Sequence, residues 1–141
     1  MNESFLKTID LLESCISRMA QNSFIVKGWT ITLTGVILAL VPETLDVRLI
    51  CIICSMLIIS FWIVDALYLK NERKFRNKYE KLIKNPDKEE YWFDLNIRDS
   101  TDDCKTKLIC TMFSLSVWPI YIPLLLASAI LFVNQYTRWF G

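Results

Sequence analysis

Hydrophobic and polar positions change their rhythm several times along this chain. From residue 3 to residue 21, Phe5, Ile9, Leu12, Ile16 and Met19 recur at spacings of 4, 3, 4 and 3. That is the seam of a helix packed against another helix. Glu3, Lys7, Asp10, Glu13 and Arg18 form its polar complement. A helix lying on a membrane by its apolar stripe is the competing reading, and the mixed charge favours a protein partner. Uncharged sequence then runs from Gly28 to Val41. With Phe24–Val26 added and Lys27 snorkelling to the headgroups, it reaches spanning length. Trp29 sits where an interfacial aromatic belongs, and Pro42, Glu43 and Asp46 predict a tight polar turn. Leu49–Tyr68 forms a second apolar stretch of spanning length, followed without Gly or Pro by a basic helix to Lys84. Leu108–Val133 is 26 residues without a charge, a third span that Pro119 and Pro123 are expected to kink, with Trp118 and Tyr121 flanking it.

These elements predict an all-α membrane protein with three transmembrane helices, N-terminus inside and C-terminus outside. The expected parts are a cytoplasmic amphipathic helix over 1–22 and a transmembrane hairpin over 23–68, with spans at 24–42 and 49–68. A cytoplasmic basic helix and acidic connector follow over 69–107, then a third span over 108–134 and an external tail over 135–141, with Tyr136 and Trp139 at the far interface.

Charge fixes the orientation. The net charge of +1 conceals segregation: residues 70–84 hold seven basic and two acidic residues, and 87–103 hold seven acids against Lys88 and Arg98. The positive-inside rule puts the basic run in the cytoplasm, where Arg73, Lys74, Arg76 and Lys78 are candidates for contacts with lipid headgroups or a neighbouring subunit. Asn85-Pro86 stops that helix. Tyr91, Trp92 and Phe93 form an aromatic cluster in the connector, and Ser100–Asp103 read as an N-cap region.

One acid, Asp65, lies inside the second span about one turn from its cytoplasmic end. An ionisable group at that depth is expensive unless paired, and Lys27 enters the first span at the same level. A Lys27–Asp65 ion pair across the hairpin is therefore expected; the alternative is that Asp65 reaches the interface. Thr30, Thr32, Thr34 and Gly35 give the first span a small, hydroxyl-bearing surface suited to close helix packing or to lining a pore.

Composition narrows the chemistry. Hydrophobic residues make up 53% of the 141, above the range of an ordinary soluble domain. The chain has no His, which removes the commonest catalytic base and metal ligand. Its five cysteines include a Cys51-x-x-Cys54 pair inside an apolar run, which reads as two buried small hydrophobes. No Gly-rich loop or metal spacing is present and the N-terminus lacks the pattern of a cleavable signal, so neither an enzyme nor a cofactor is expected. Nucleic acid is disfavoured as a partner, because the basic residues surround a helix with a buried stripe. Three spans without an internal repeat also argue against a transporter.

Two blocks occur together: Arg18-Met19-Ala20-x-Asn22-Ser23-Phe24-x-x-Lys27-Gly28-Trp29, and Trp62-x-x-Asp65-Ala66-x-Tyr68-Leu69-x-x-Glu72-Arg73-x-Phe75-Arg76-x-x-Tyr79. In these the chain resembles a group of small bacterial membrane proteins found among mobile elements and antiviral-defence genes, where such proteins act as growth-stopping effectors. The resemblance implies an oligomeric effector of the bacterial inner membrane that perturbs membrane integrity or potential when triggered. The alternative is a non-conducting anchor that recruits or senses a cytoplasmic protein partner. Under the resemblance Lys27 and Asp65 lock the hairpin, while Arg18, Asn22 and Ser23 cap and orient a joint between the cytoplasmic helix and the first span. Arg73 sits at the membrane exit, within reach of phosphate or Asp65. Phe5, Ile9, Leu12, Ile16 and Met19 are the candidate oligomer seam.

Overall fold

The computed structural model describes residues 3–39, 46–86 and 107–140. These are 92% helical, with no strand among them. The helices are α1 (Glu3–Ala39), α2 (Val47–Lys84), α3 (Leu108–Met112) and α4 (Trp118–Phe140). The expected turn over Pro42 and Glu43 lies outside the described residues, as do the acidic connector with Tyr91, Trp92 and Phe93 and the N-cap region Ser100–Asp103.

The central element is α2, with α1 packed along it and α3 and α4 packed against its middle and first half. Tyr79 meets Glu13 near one end of α1, and Asp65 meets Ser23 further along, so α1 runs antiparallel to α2. Tyr121 stacks on Trp62 while Ser128 meets Ser55, so α4 is antiparallel to α2 as well. The order is up, down, up. Helix α2 starts on Asp46, whose Oδ1 accepts from the Arg48 amide at 3.1 Å. It ends at Asn85, whose amide donates to the carbonyls of Lys81 and Leu82, with Lys81 and Lys84 complementing the negative end of the dipole and Pro86 following.

Two sequence expectations change here. Helix α1 has no joint at Arg18, Asn22 and Ser23; it is continuous for 37 residues. No Pro or Gly interrupts residues 18–23, and Ser23 uses its hydroxyl on Asp65 rather than on a backbone amide, so nothing terminates the helix there. Arg18 is exposed and Asn22 half-buried.

The 108–134 segment, conversely, is not one helix. It breaks over 113–117, where the bonds are short-range: Ser114 N–H to Thr111 O at 3.1 Å, and Val117 N–H to Ser114 O at 2.8 Å. Pro119 is the cause. It has no N–H for the Leu115 carbonyl and its ring crowds that carbonyl, so a helix arriving from Leu108 cannot pass through. The same proline is well suited to the first turn of a new helix, and α4 begins at Trp118. Pro123 is the residue left inside the helix. The tail expected over 135–141 is helical to Phe140.

The break is held by α2. Trp62 Nε1 donates to the Met112 carbonyl at 3.1 Å, and Arg73 donates to Ser114 Oγ at 2.6 Å. Trp62 also packs edge-on against Phe113. Trp62→Phe keeps the rings and removes the donor, leaving an orphaned carbonyl at the end of α3. A loss of about 1–3 kcal/mol is expected, read as a lower thermal midpoint in detergent, with faster amide exchange over 108–117. Unchanged exchange there would mean that the indole donor does not hold the corner.

Burial chemistry divides the molecule in two. In the first half of α1 and the second half of α2, Phe5, Leu12, Phe75 and Leu82 form a core, with Ile9, Cys15, Ile16, Met19 and Tyr79 packed against it. Apart from the buried Glu72, the charged residues here are exposed or half-buried around this core. In the remaining halves the arrangement is inverted. Ser23, Thr30, Thr34, Asp65, Cys51, Cys54 and Ala66 are buried, whereas Trp29, Ile31, Val36, Ile52, Met56, Ile59 and Ile63 are exposed. α1 and α2 are both long and apolar enough to cross a membrane, and Trp118–Asn134 is a shorter apolar helix.

Candidate functional site

The buried polar cluster lies where these two regimes meet. Ser23, Lys27, Thr30 and Thr34 follow at i, i+4, i+7 and i+11, a single stripe of α1 that faces α2. Asp65 arrives from α2 with its side chain wholly buried, while that of Lys27 is 13% exposed. Lys27 Nζ lies 2.9 Å from Asp65 Oδ1 and 2.8 Å from Oδ2. It also donates to Ser23 Oγ at 2.6 Å, and Ser23 Oγ donates in turn to Asp65 Oδ1. The structure thus brings Lys27 and Asp65 together and recruits Ser23 to them.

Tyr121 completes the group from α4. Its ring lies parallel to Trp62 at a centroid distance of 6.0 Å, so its hydroxyl is carried inward beside Asp65 and Thr30. Tyr121 is fully buried, not a flanking interfacial residue. The signal in the sequence was Trp62, three residues before Asp65 and hence on the same face of α2. Thr30 Oγ1 donates to the Val26 carbonyl at 2.8 Å. Thr34 Oγ1 is buried and makes no hydrogen bond, and the buried Tyr121 hydroxyl makes none of good alignment, though Thr30 and Asp65 lie beside it. The four threonine and glycine positions divide: Thr30 and Thr34 face inward, and Thr32 and Gly35 face outward.

The candidate oligomer seam is occupied within the chain. Phe5 and Leu12 are buried against Phe75 and Leu82, with Ile9, Ile16 and Met19 alongside. The stripe meets α2 of the same chain, with Phe5 and Leu12 buried there and Ile9, Ile16 and Met19 half-buried. At this seam Tyr79 donates to Glu13 at 3.0 Å. That bond, followed by burial and the Glu13 charge, raises the phenol above its usual range.

Of the basic residues, Arg73 meets Ser114 rather than Asp65. Arg76 is exposed and pairs with Glu72 at 2.8 Å. Lys74 and Lys78 are half-buried on the same helix. Cys51 and Cys54 are buried free thiols. Among the described residues no group of three His, Cys, Asp or Glu side chains is placed to hold a metal ion. Chemically, the cluster is a charge pair with a ring of hydroxyls in apolar surroundings, suited to locking helices or moving protons.

Comparison of the chain with protein-family models, curated proteins and solved structures finds no match in any of the three.

Proposed function

We propose that the chain is a multi-pass protein of the bacterial inner membrane that acts as an oligomeric effector, in the setting of antiviral defence, and perturbs membrane potential when triggered. The observation that carries the membrane part is the inversion of burial chemistry along α1 and α2. Residues such as Phe24 at 78% exposure and Leu115 at 81% are intelligible against lipid and costly against water, while the buried positions include Ser23, Thr30, Thr34, Cys51, Cys54 and Ala66, small or hydroxylic as in membrane helix packing, beside the Ile58–Val117–Tyr121 cluster. With α4 as the third span and the basic helix taken as inside by the positive-inside rule, the shared direction of α1 and α4 carries the C-terminus outside in this reading. The first half of α1 and the second half of α2 then form a cytoplasmic stalk. From Leu69 to Lys84 it extends about 24 Å.

The active unit in this reading is an assembly of several copies. α1 offers a face for assembly in Gly28, Thr32, Gly35 and Ala39, all exposed and at small-residue spacing. The defence setting rests on the two sequence blocks. The anchor reading is favoured by a separate observation: Leu6, Leu11 and Ile83 remain exposed on the stalk, where a cytoplasmic protein can cover them.

Membrane potential, followed with a voltage-sensitive dye in bacteria under induced expression, separates the two. Wild type is expected to depolarise the cells. Gly35→Leu, at a position where an added Cβ has nothing within 4 Å, is expected to fold, reach the membrane at equal level and fail to depolarise. No depolarisation by wild type, with phage present or absent, would leave the anchor.

A further inference from the structure

The polar groups buried between the helices do not stop at the ion pair. A cleft of about 480 Å³ opens between α1, α2 and the α3–α4 corner, and Ser23, Lys27, Glu72 and Ser116 are its polar lining. Behind Lys27 lies Asp65, closed off from the surface. Beside Asp65 is the Tyr121 hydroxyl, and a turn further along α1 than Thr30 is Thr34. Thr34 Oγ1 is buried with no hydrogen bond, and the buried Tyr121 Oη lies beside Asp65 and Thr30 without a well-aligned one. An unpartnered buried hydroxyl is expensive, and such groups in native proteins usually mark ordered water. Two turns of α4 beyond Tyr121, about 10 Å, Ser128 Oγ meets Ser55 Oγ at 3.1 Å. That pair lines a second opening, a groove of about 370 Å³ between α2 and α4.

We propose that this string of groups, bridged by water, conducts protons; the inference deepens the effector reading above by naming the ion. Ile58 and Val117 pack fully buried around Tyr121, which leaves the path no room for a hydrated metal ion but does not obstruct transfer along hydrogen bonds. The transfer balances. A proton entering at the Ser55–Ser128 pair adds to a bridging water, which passes one of its own through Thr34 to Tyr121 Oη. Tyr121 releases its original proton to the Asp65 carboxylate; Asp65 hands it to Ser23 Oγ, which lines the cleft and releases its own proton to water there. Each oxygen ends as it began, and one H⁺ has moved from the outer groove to the inner cleft. The membrane potential, negative inside, drives it in that direction. Lys27 on α1 is the positioning group, since its ammonium holds the carboxylate, while Glu72 and Arg73 on α2 lie two turns nearer the stalk.

The test is the full chain in liposomes, with a potassium diffusion potential set by valinomycin and a pH-sensitive dye inside. A second set of vesicles carries trapped carboxyfluorescein. Wild type is expected to carry protons well above protein-free vesicles and to retain the carboxyfluorescein. Tyr121→Phe keeps the stacked ring and Thr34→Val keeps the shape, and each is expected to cut proton flux about tenfold with unchanged helicity. Wild-type flux no greater than that of empty vesicles would overturn the proposal. So would wild-type flux in both variants, or escape of the carboxyfluorescein. Depolarised cells alongside proton-tight vesicles would defeat this inference and leave the effector standing, whereas proton flux in vesicles without depolarised cells would do the reverse.

Discussion

Lys27→Met is expected to destabilise the protein by about 3–5 kcal/mol, because it leaves the Asp65 carboxylate charged and buried with no cation. Asp65 has no exposed side-chain surface, and the two Lys27 contacts, at 2.8 and 2.9 Å, supply its positive partner. Ser23 remains as a donor, but a hydroxyl does not neutralise a charge. The double variant Lys27→Met, Asp65→Leu removes both charges and is expected to recover most of the loss, since replacing both members of a buried pair by apolar groups is often neutral. Thermal unfolding in detergent of wild type, Lys27→Met, Asp65→Leu and the double variant, followed by helicity, gives the coupling directly. Additive single effects would show that the pair does not lock the hairpin. The Glu3–Lys7 pair is a useful contrast. It has similar geometry at 2.8 Å, but its side chains are 71% and 83% exposed, and its removal is expected to change stability by less than about 1 kcal/mol.

The second large effect belongs to the stalk. Leu12 is 1% exposed in a core whose other buried members are Phe5, Phe75 and Leu82. Leu12→Ala opens a cavity expected to cost about 2–5 kcal/mol. In so small a core the loss is local: proteolysis should become rapid over residues 5–19 and 72–84, while the apolar halves of α1 and α2 stay protected. Limited proteolysis with mass mapping in micelles distinguishes this from global loosening. Uniform sensitivity along both helices would contradict a stalk and span with separate cores.

The residues that the sequence exposed to view were those with a single economical solution. A carboxylate inside an apolar stretch needs a cation, and counting turns from the helix ends left Lys27 at the right depth. The 4-and-3 spacing of Phe5 to Met19 likewise required a helical partner. It did not identify that partner, because periodicity describes one surface and is silent on whether the matching stripe, here Phe75, Tyr79 and Leu82, belongs to the same chain or to another. The break over 113–117 was hidden for a different reason. An uncharged run satisfies every criterion of length, and Pro119 is read as a kink when its neighbours are assumed helical on both sides. The structure shows it starting a helix instead, with Trp62 taking the Met112 carbonyl that the break released and Arg73 holding the Ser114 hydroxyl. Tyr121 was obscured in the same way, since its burial follows from where α4 begins.

The absence of a joint in α1 has a consequence for how the gene can vary. Positions 5, 8, 12, 15, 19, 23, 27, 30 and 34 form one unbroken stripe, which carries apolar knobs around Thr8 in its first half and hydroxyls with one ammonium in its second. Each added residue turns everything beyond it by about 100°. A single insertion near Gln21 therefore cannot be absorbed locally. It would leave either Leu12 facing water or Lys27 turned away from Asp65. The two halves share one phase, so this helix can change freely in outward-facing letters and hardly at all in length.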